Sequence, residues 1–475
     1  MSGKSLVATL LTHFEELEKS GDVEFWRDEG KAFVTFETGT HTENWPLESV
    51  VWKLRVSQIC HTLTGKILTD QNCKDVLNNL KGWALLQGPH YQASYRVGRH
   101  KDAIYIDLAD RRWQFVKVTE SGWSIENRSP VRFWRSHHTK PLPIPTEGGS
   151  QKDLHKYFNV AGEEDLLIII AFMVQALYPE GPYPVLSLSG EQGSAKTTAA
   201  RILISLIDPK MAPLRTMPSN ERDLMLDALN SRLLAFDNVS NIKPAMSDAF
   251  CRISSGGGLS TRQLYTDSEQ VVFEAQRPIV LTGINEAARR GDLVDRTVSV
   301  KLQRIPPSRR ISEAELDDDF ERNAPKLFGF ILDTLSGSLK YRDSIFLHEP
   351  PRMIDFAITG EAVAKTLGME EGSFLQAFSG SQTDSNMDIL DASPIGDPVR
   401  KLISEKRTWT GKSNDLLLDL EYDVSDEVKR RKDWPKDAAR MGRTMRTLAP
   451  SFRAEDISVD FDTPSRRYIT ISKIE

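Results

Sequence analysis

Val185-Leu-Ser-Leu-Ser-Gly190-Glu-Gln-Gly193-Ser-Ala-Lys196-Thr-Thr198 is the stretch on which the reading of this chain turns. Val185 to Ser189 is an apolar run of strand type, Gly190 to Ala195 is a glycine-bearing loop, and Lys196-Thr197-Thr198 opens an amphipathic helix that ends before Pro209. A polyphosphate carries more negative charge than a few side chains can neutralise. Backbone N–H groups converging in such a loop, backed by a helix N-terminus, can do it. The spacing therefore predicts a phosphate cradle made by Gly190, Glu191, Gln192, Gly193, Ser194 and Ala195, continued by Lys196, Thr197 and Thr198. Lys196 supplies a point charge for the β- and γ-phosphates, and the Thr197 hydroxyl is a ligand for Mg²⁺. The loop's last glycine of the usual pattern is replaced by Ala195, the smallest possible change.

A chain of 475 residues has room for roughly three domains. The apolar run Leu166 to Leu177 is too short to span a bilayer and reads as a core helix beside the phosphate-loop strand. The N-terminus lacks the basic segment, apolar core and cleavage site of a secretory signal, so a cytoplasmic protein with no membrane partner is expected. Cys60, Cys73 and Cys251 are widely spaced and not flanked by histidines at ligand spacing, which argues against a disulfide framework or a zinc site. A net charge of −6 excludes a whole-molecule electrostatic grip on nucleic acid but leaves room for a basic face.

Residues 1–149 read as a β-rich α+β module. It has a helix over Leu6 to Leu17, a hairpin turning at Asp28-Glu29-Gly30-Lys31, a helical stretch from Leu47 to Leu80, and short strands between Ala93 and Trp134. Tyr91, Tyr95, Arg96, Arg99, Lys101 and Tyr105 interleave aromatic and basic character. That pattern suits either contacts to a single strand of nucleic acid or a half-buried sheet. Pro141 to Pro145 and Gly148-Gly149-Ser150 mark a boundary.

In residues 150–305, Ala212 to Met217 reads as a short strand and Arg232 to Asn238 as an apolar strand ending in Asp237, where a carboxylate can hold Mg²⁺ through water. Pro278 to Asn285 is a further apolar strand, ending in an amide able to orient the attacking water. Arg289, Arg290 and Arg296 follow, badly placed for their own subunit's nucleotide and well placed for a neighbour's.

These residues resemble the AAA+ ATPases, and within them the superfamily III helicases and the ATPase modules of phage and mobile-element primase-helicases. The resemblance implies an α/β AAA+ core, a parallel sheet with helices on both faces. It implies ATP and Mg²⁺ as cofactors, Lys196, Asp237, Asn285, Arg290 and Arg296 as catalytic residues, and Thr197 and Asp237 at the metal. It further implies a homo-oligomeric ring, a hexamer, threaded by single-stranded DNA, with a primase or other replication protein as partner. In such helicases a hairpin between the second and third motifs grips the strand. Gly256 to Phe273 fits, with Arg262 and Tyr265 against DNA, although its tip is acidic. The family's second acid at the strand end is here Asn238, with Glu191 or Asp248 as candidate substitutes.

Residues 306–380 read as a helical lid, opened by the capping box Ser312 to Glu315 and bearing Arg352 for the nucleotide; Ser379 to Asn386 reads as a polar linker. Residues 392–475, two or three helices followed by two strands, read as a winged helix that binds duplex DNA. Its best helix is expected between Pro435 and Pro450, with Lys436, Arg440 and Arg443 on the face opposite Met441 and Met445 and Arg446 at its edge. The expectation is an ATP-dependent ring-forming DNA helicase or translocase of a phage or mobile element. The alternative is an ATP-gated DNA-binding switch, or a regulatory or antiphage AAA+ ATPase with little unwinding.

Overall fold

Alternation along three adjacent strands builds the centre of this protein. In the computed structural model, which describes residues 5–240, 242–262, 270–283, 291–462 and 468–474, strands β10 (Val185–Ser189), β11 (Leu234–Val239), β14 (Ile279–Gly283) and β15 (Thr297–Lys301) form a parallel sheet in the order β11-β14-β10-β15. Side chains of period two divide between its faces. Leu186, Leu188, Ala235 and Val280 join the core of α5 (Glu163–Leu177) and α6 (Lys196–Ile207), while Val185, Phe236, Ile279 and Leu281 join that of α7 (Glu221–Leu229) and α8 (Pro244–Ser255). Helices therefore cover both faces, and every residue from Leu166 to Leu177 is buried. The strand expected over Ala212 to Met217 reduces to one bridge, Arg215 beside Phe236, at the outer edge of β11.

Ahead of this core, α1 (Leu6–Ser20) buries Leu10 and Phe14 against a three-stranded sheet of β1 (Val23–Asp28), β2 (Lys31–Glu37) and β3 (Thr42–Pro46). The β1–β2 turn takes left-handed torsions at Glu29 and Gly30, which match strand twist. Helices α2 (Val50–Thr64) and α3 (Asp70–Leu86) complete that core. Next, β4 (Ala93–Ser94) pairs with β9 (Arg132–Phe133), and β5 (Val97–His100), β6 (Ala103–Asp107), β7 (Phe115–Thr119) and β8 (Gly122–Glu126) form a meander.

Most of the aromatic and basic residues interleaved here pack within the module, while Lys101 is exposed. Tyr95 and Tyr105 are buried, Arg99 pairs with Glu180, and Tyr91 donates to Glu24 under the Arg132 guanidinium. Arg96, fully buried, pairs at 3.2 Å with the equally buried Asp208 just past α6, whose other oxygen accepts from Arg232 N–H at 2.7 Å. The N-terminal module is thereby locked to the end of the phosphate-loop helix.

Short α4 (Gln151–His155) leads into the core; hairpin β12 (Gly258–Arg262) and β13 (Gln270–Glu274) and helix α9 (Gly291–Val294) lie between its later strands in sequence. After β15, α10 (Glu313–Arg342) starts at the expected capping box, α11 (Ile354–Thr366) packs on it and on α5, and α12 (Ser373–Ala392) packs on α11 and α5. Ser379 to Asn386 is not a linker. It lies inside α12, where the Ser381 hydroxyl donates to Ser299 O at 2.6 Å and accepts from Ser299 N–H at 3.1 Å, satisfying the open edge of β15.

The C-terminal unit has its own core, built on α13 (Gly396–Lys406), α14 (Ser413–Tyr422), α15 (Asp426–Arg430) and α16 (Ala438–Arg453). A sheet ordered β16-β18-β17 closes it, from β16 (Thr408–Lys412), β17 (Ile457–Phe461) and β18 (Tyr468–Lys473). Helix α16 begins later and ends later than expected. Asp437 caps it by accepting from Arg440 N–H, so Lys436 precedes the helix, and Pro450 sits inside its last turn, where it takes one donor from the backbone ladder without ending the helix.

Candidate nucleotide site and nucleic-acid surfaces

The phosphate loop leaves the C-terminal end of β10, between β14 and β15, the end of a parallel sheet where ligands bind. Gly190 (φ 142°) and Gly193 (φ 86°) adopt torsions that other residues rarely reach. A Cβ on Gly190 would stand 2.5 Å from Leu302 O. Ala195 takes the left-handed conformation (φ 63°, ψ 32°) as the N-cap of α6 and makes no side-chain cap, which leaves the first N–H groups of α6 free to meet an anion. The Lys196 ammonium donates to Gly190 O at 2.6 Å and Glu191 O at 2.9 Å, folded back on the loop that it would share with phosphate. Ser194 Oγ is buried without a hydrogen-bond partner among the described residues.

Thr197 Oγ1 donates to Asp237 at 3.1 Å, so the helix hydroxyl and the strand carboxylate expected at one metal do meet. Thr282, at the end of β14, donates to the same carboxylate and accepts from Asn238 N–H at 3.0 Å. Asn238 is exposed in a left-handed conformation (φ 55°). This donor set suits Mg²⁺, which keeps several waters and needs only one or two protein oxygens. Among the described residues no group of three or more histidine, cysteine, aspartate or glutamate residues could hold a metal by itself.

Neither candidate for the missing acid joins Asp237 by a contact. Glu191 is exposed on the loop. Asp248 lies on α8 in a charged neighbourhood around Cys251: burial pushes that thiol up, Arg296 and Arg352 pull it down, and Asp292 and Asp248 push it further up. Arg352, expected at the nucleotide, instead pairs with Asp295 and lies 3.8 Å from Asp292. Arg296 donates to Asp292 O at 2.8 Å, and its own carbonyl accepts from Val185 N–H, at the start of β10 and not at the loop end. Asn285, Arg290 and Tyr265 lie outside the described residues. Arg262 ends β12, paired in register with Gln270. Past the far end of α6, burial lowers the pKa of the Lys210 ammonium to about 8 although Asp208 lies 3.1 Å away.

On α16, Arg440, Arg443 and Arg446 are exposed opposite the buried Met441, Met445 and Leu448. The Arg446 guanidinium stacks 5.1 Å from the centre of the Phe461 ring. A groove of about 550 Å³ runs between Lys412, Ser413 and Asn414 and the Ala438, Gly442, Arg443 and Arg446 face of this helix. Lys436 is exposed just before it.

Thr282 and Lys412 were missed in the sequence. Thr282 ends an apolar strand three residues before the amide that drew attention, and Lys412 stands outside any basic run.

Residues 152–388 match the sequence family described as actinomycete integrative conjugative element replication protein, and residues 395–475 match the AICE RepA C-terminal domain. The two matches together span most of the chain. No curated protein matches it in sequence. Among solved structures, the A form apo structure of the NrS-1 C terminal region is similar at 11% identity and TM-score 0.40, over 97% of this chain and 98% of that one. The apo structure of NrS-1 C terminal region (305-718) gives 12% identity and TM-score 0.40, over the whole of both chains. No helix among the described residues is long and apolar enough to cross a membrane.

Proposed function

We propose, taking the match to a conjugative-element replication family as premise, that this chain is a ring-forming AAA+ ATPase acting on DNA as a helicase or translocase. The observation that carries this reading is the meeting of Thr197, Asp237 and Thr282 at the loop end of three adjacent parallel strands. Lys196 and the N–H groups of Gly193 to Thr198 would hold the β- and γ-phosphates of ATP. Thr197 and, through water, Asp237 would hold Mg²⁺, which supplies charge neutralisation at the phosphates. Thr282 fixes the Asp237 carboxylate, so its orientation does not depend on the ligand. Asn285 would sense the γ-phosphate, and Arg296, with Arg290, would complete a neighbour's site.

The β12–β13 hairpin would contact single-stranded DNA. The C-terminal unit supports a winged-helix assignment through its order of helix, strand, two helices, helix and two strands, with an exposed basic face on α16. Duplex DNA, a homo-oligomeric ring and a primase or replication protein are its proposed partners.

Asn238 favours a second reading. With no acid beside Asp237, nucleotide binding without rapid turnover would make the protein an ATP-gated DNA-binding switch.

ATP hydrolysis measured with and without single-stranded DNA at two salt concentrations separates the readings, with Lys196→Ala as control. A motor shows turnover that DNA stimulates and salt weakens. Turnover at the level of Lys196→Ala, with nucleotide still bound by the wild type, assigns the switch.

A further inference from the structure

Beyond β15 the chain turns back over the phosphate loop. Leu302 N–H donates to Ser189 O at 2.9 Å, Gln303 N–H to Asn159 O at 2.7 Å, and Ile305 N–H to Gly193 O at 3.2 Å. A short 3₁₀ turn, Pro307–Arg309, then returns the chain, and Arg310 Nε donates to Ile305 O at 3.3 Å. The terminal nitrogen of Arg310 stands 3.4 Å from where a Cβ on Gly193 would lie. The position is held from the far side too: α10 starts at Glu313, and Arg201 of the phosphate-loop helix bonds Glu313 at 2.6 Å and Asp317 at 2.9 Å. Arg310 is exposed, and its guanidinium pairs with no carboxylate among the described residues. An unneutralised cation is thus kept against an anion cradle that already holds Lys196.

We propose that Arg310 contacts the nucleotide bound by its own chain, donating to the polyphosphate from the Gly193 side of the loop. This rests on the nucleotide-site reading and deepens it. A guanidinium offers five donors in a rigid fork suited to phosphate oxygens, so its contact is directional where the Lys196 contact is a point charge. Because Arg310 lies three residues before α10, the same contact ties nucleotide occupancy to the helix that packs on β7 and β8 of the N-terminal module. It differs in kind from Arg296, which lies at the opposite end of β10.

The test is equilibrium binding of fluorescent ATP and ADP analogues, with displacement by inorganic tripolyphosphate and by adenosine. The proteins are the wild type, Arg310→Ala, Arg310→Lys, Arg309→Ala and Lys196→Ala. Loss of a charge-assisted phosphate contact should weaken Arg310→Ala binding by about tenfold or more, with partial recovery in Arg310→Lys. Arg309→Ala should stay near the wild type. Tripolyphosphate affinity should fall in the same proportion as ATP affinity, and adenosine affinity should not move. Arg310 is exposed, so an unchanged melting temperature should accompany the loss. Wild-type affinity in Arg310→Ala, with binding lost in Lys196→Ala, overturns this assignment and leaves the nucleotide site standing. A wild type that binds neither nucleotide overturns both.

Discussion

A single methyl group is the most legible strain in the candidate nucleotide site. Ala195 holds φ 63° and ψ 32°, a conformation that costs an L-residue roughly 1 kcal/mol and a glycine almost nothing. Replacing a non-glycine residue at such a position relieves more than the backbone entropy it adds to the unfolded chain. Ala195→Gly should therefore raise stability by about 0.5 kcal/mol in chemical denaturation and leave nucleotide affinity intact; a loss of stability would show that the methyl group packs favourably. The alanine was visible in the sequence as a small departure, but its torsion was not. Thr282 illustrates the opposite case. Its hydroxyl matters because β14 is inserted between β10 and β11, and pairing order between strands far apart in sequence leaves no local trace. Asp208 was hidden for a related reason. It reads as a turn residue before Pro209, yet it is buried under an arginine from more than a hundred positions earlier.

Elements with a clear period were readable, and those whose polarity served a neighbour were not. The loop, its strand and helix, the strands ending in Asp237 and before Asn285, and the hairpin all stand where alternation and spacing put them. The polar stretch within α12 failed because serine bonding to a strand edge looks the same as serine facing water. At α16 the two prolines misplaced both ends, while the face assignment held: hydrophobic residues fall under it and Arg440, Arg443 and Arg446 outside it. That face leads to a prediction for the element. If the arginines contact duplex phosphates, Arg443→Ala should weaken binding about equally across sequences and lower the slope of log affinity against log salt by about 1. Fluorescence anisotropy at four salt concentrations reads both. Arg446 is the less clean site, since its removal also strips packing from Phe461. An unchanged slope in Arg443→Ala would assign the stripe to solvation alone. Helix α9, which leads into Arg296, abuts α16, and Val294 packs on the C-terminal core, so DNA on the proposed α16 face would sit one element away from Arg296.

For the whole molecule, the decisive relation is between the two ends of β10. The phosphate loop follows Ser189, whereas Arg296 lies beside Val185, where its carbonyl accepts the Val185 N–H. Five strand residues at about 3.3 Å each separate them by roughly 16 Å, beyond the reach of an arginine side chain. An Arg296 that acts in hydrolysis must therefore act on another copy, through a head-to-tail interface that repeats around a ring. Neither variant alone would then turn over: Lys196→Ala binds no phosphate, and Arg296→Ala lacks the group its neighbour needs. Mixed in equal amounts and allowed to exchange, they should regain roughly a quarter of wild-type turnover, the share of random interfaces pairing an intact loop with an intact arginine. Steady-state hydrolysis across mixing ratios reads this directly, with maximal recovery at equal amounts. Recovery absent at every ratio, in assemblies shown to exchange subunits, would remove Arg296 from catalysis in a neighbour. It would leave the arginine as an anchor for α9 through Asp292.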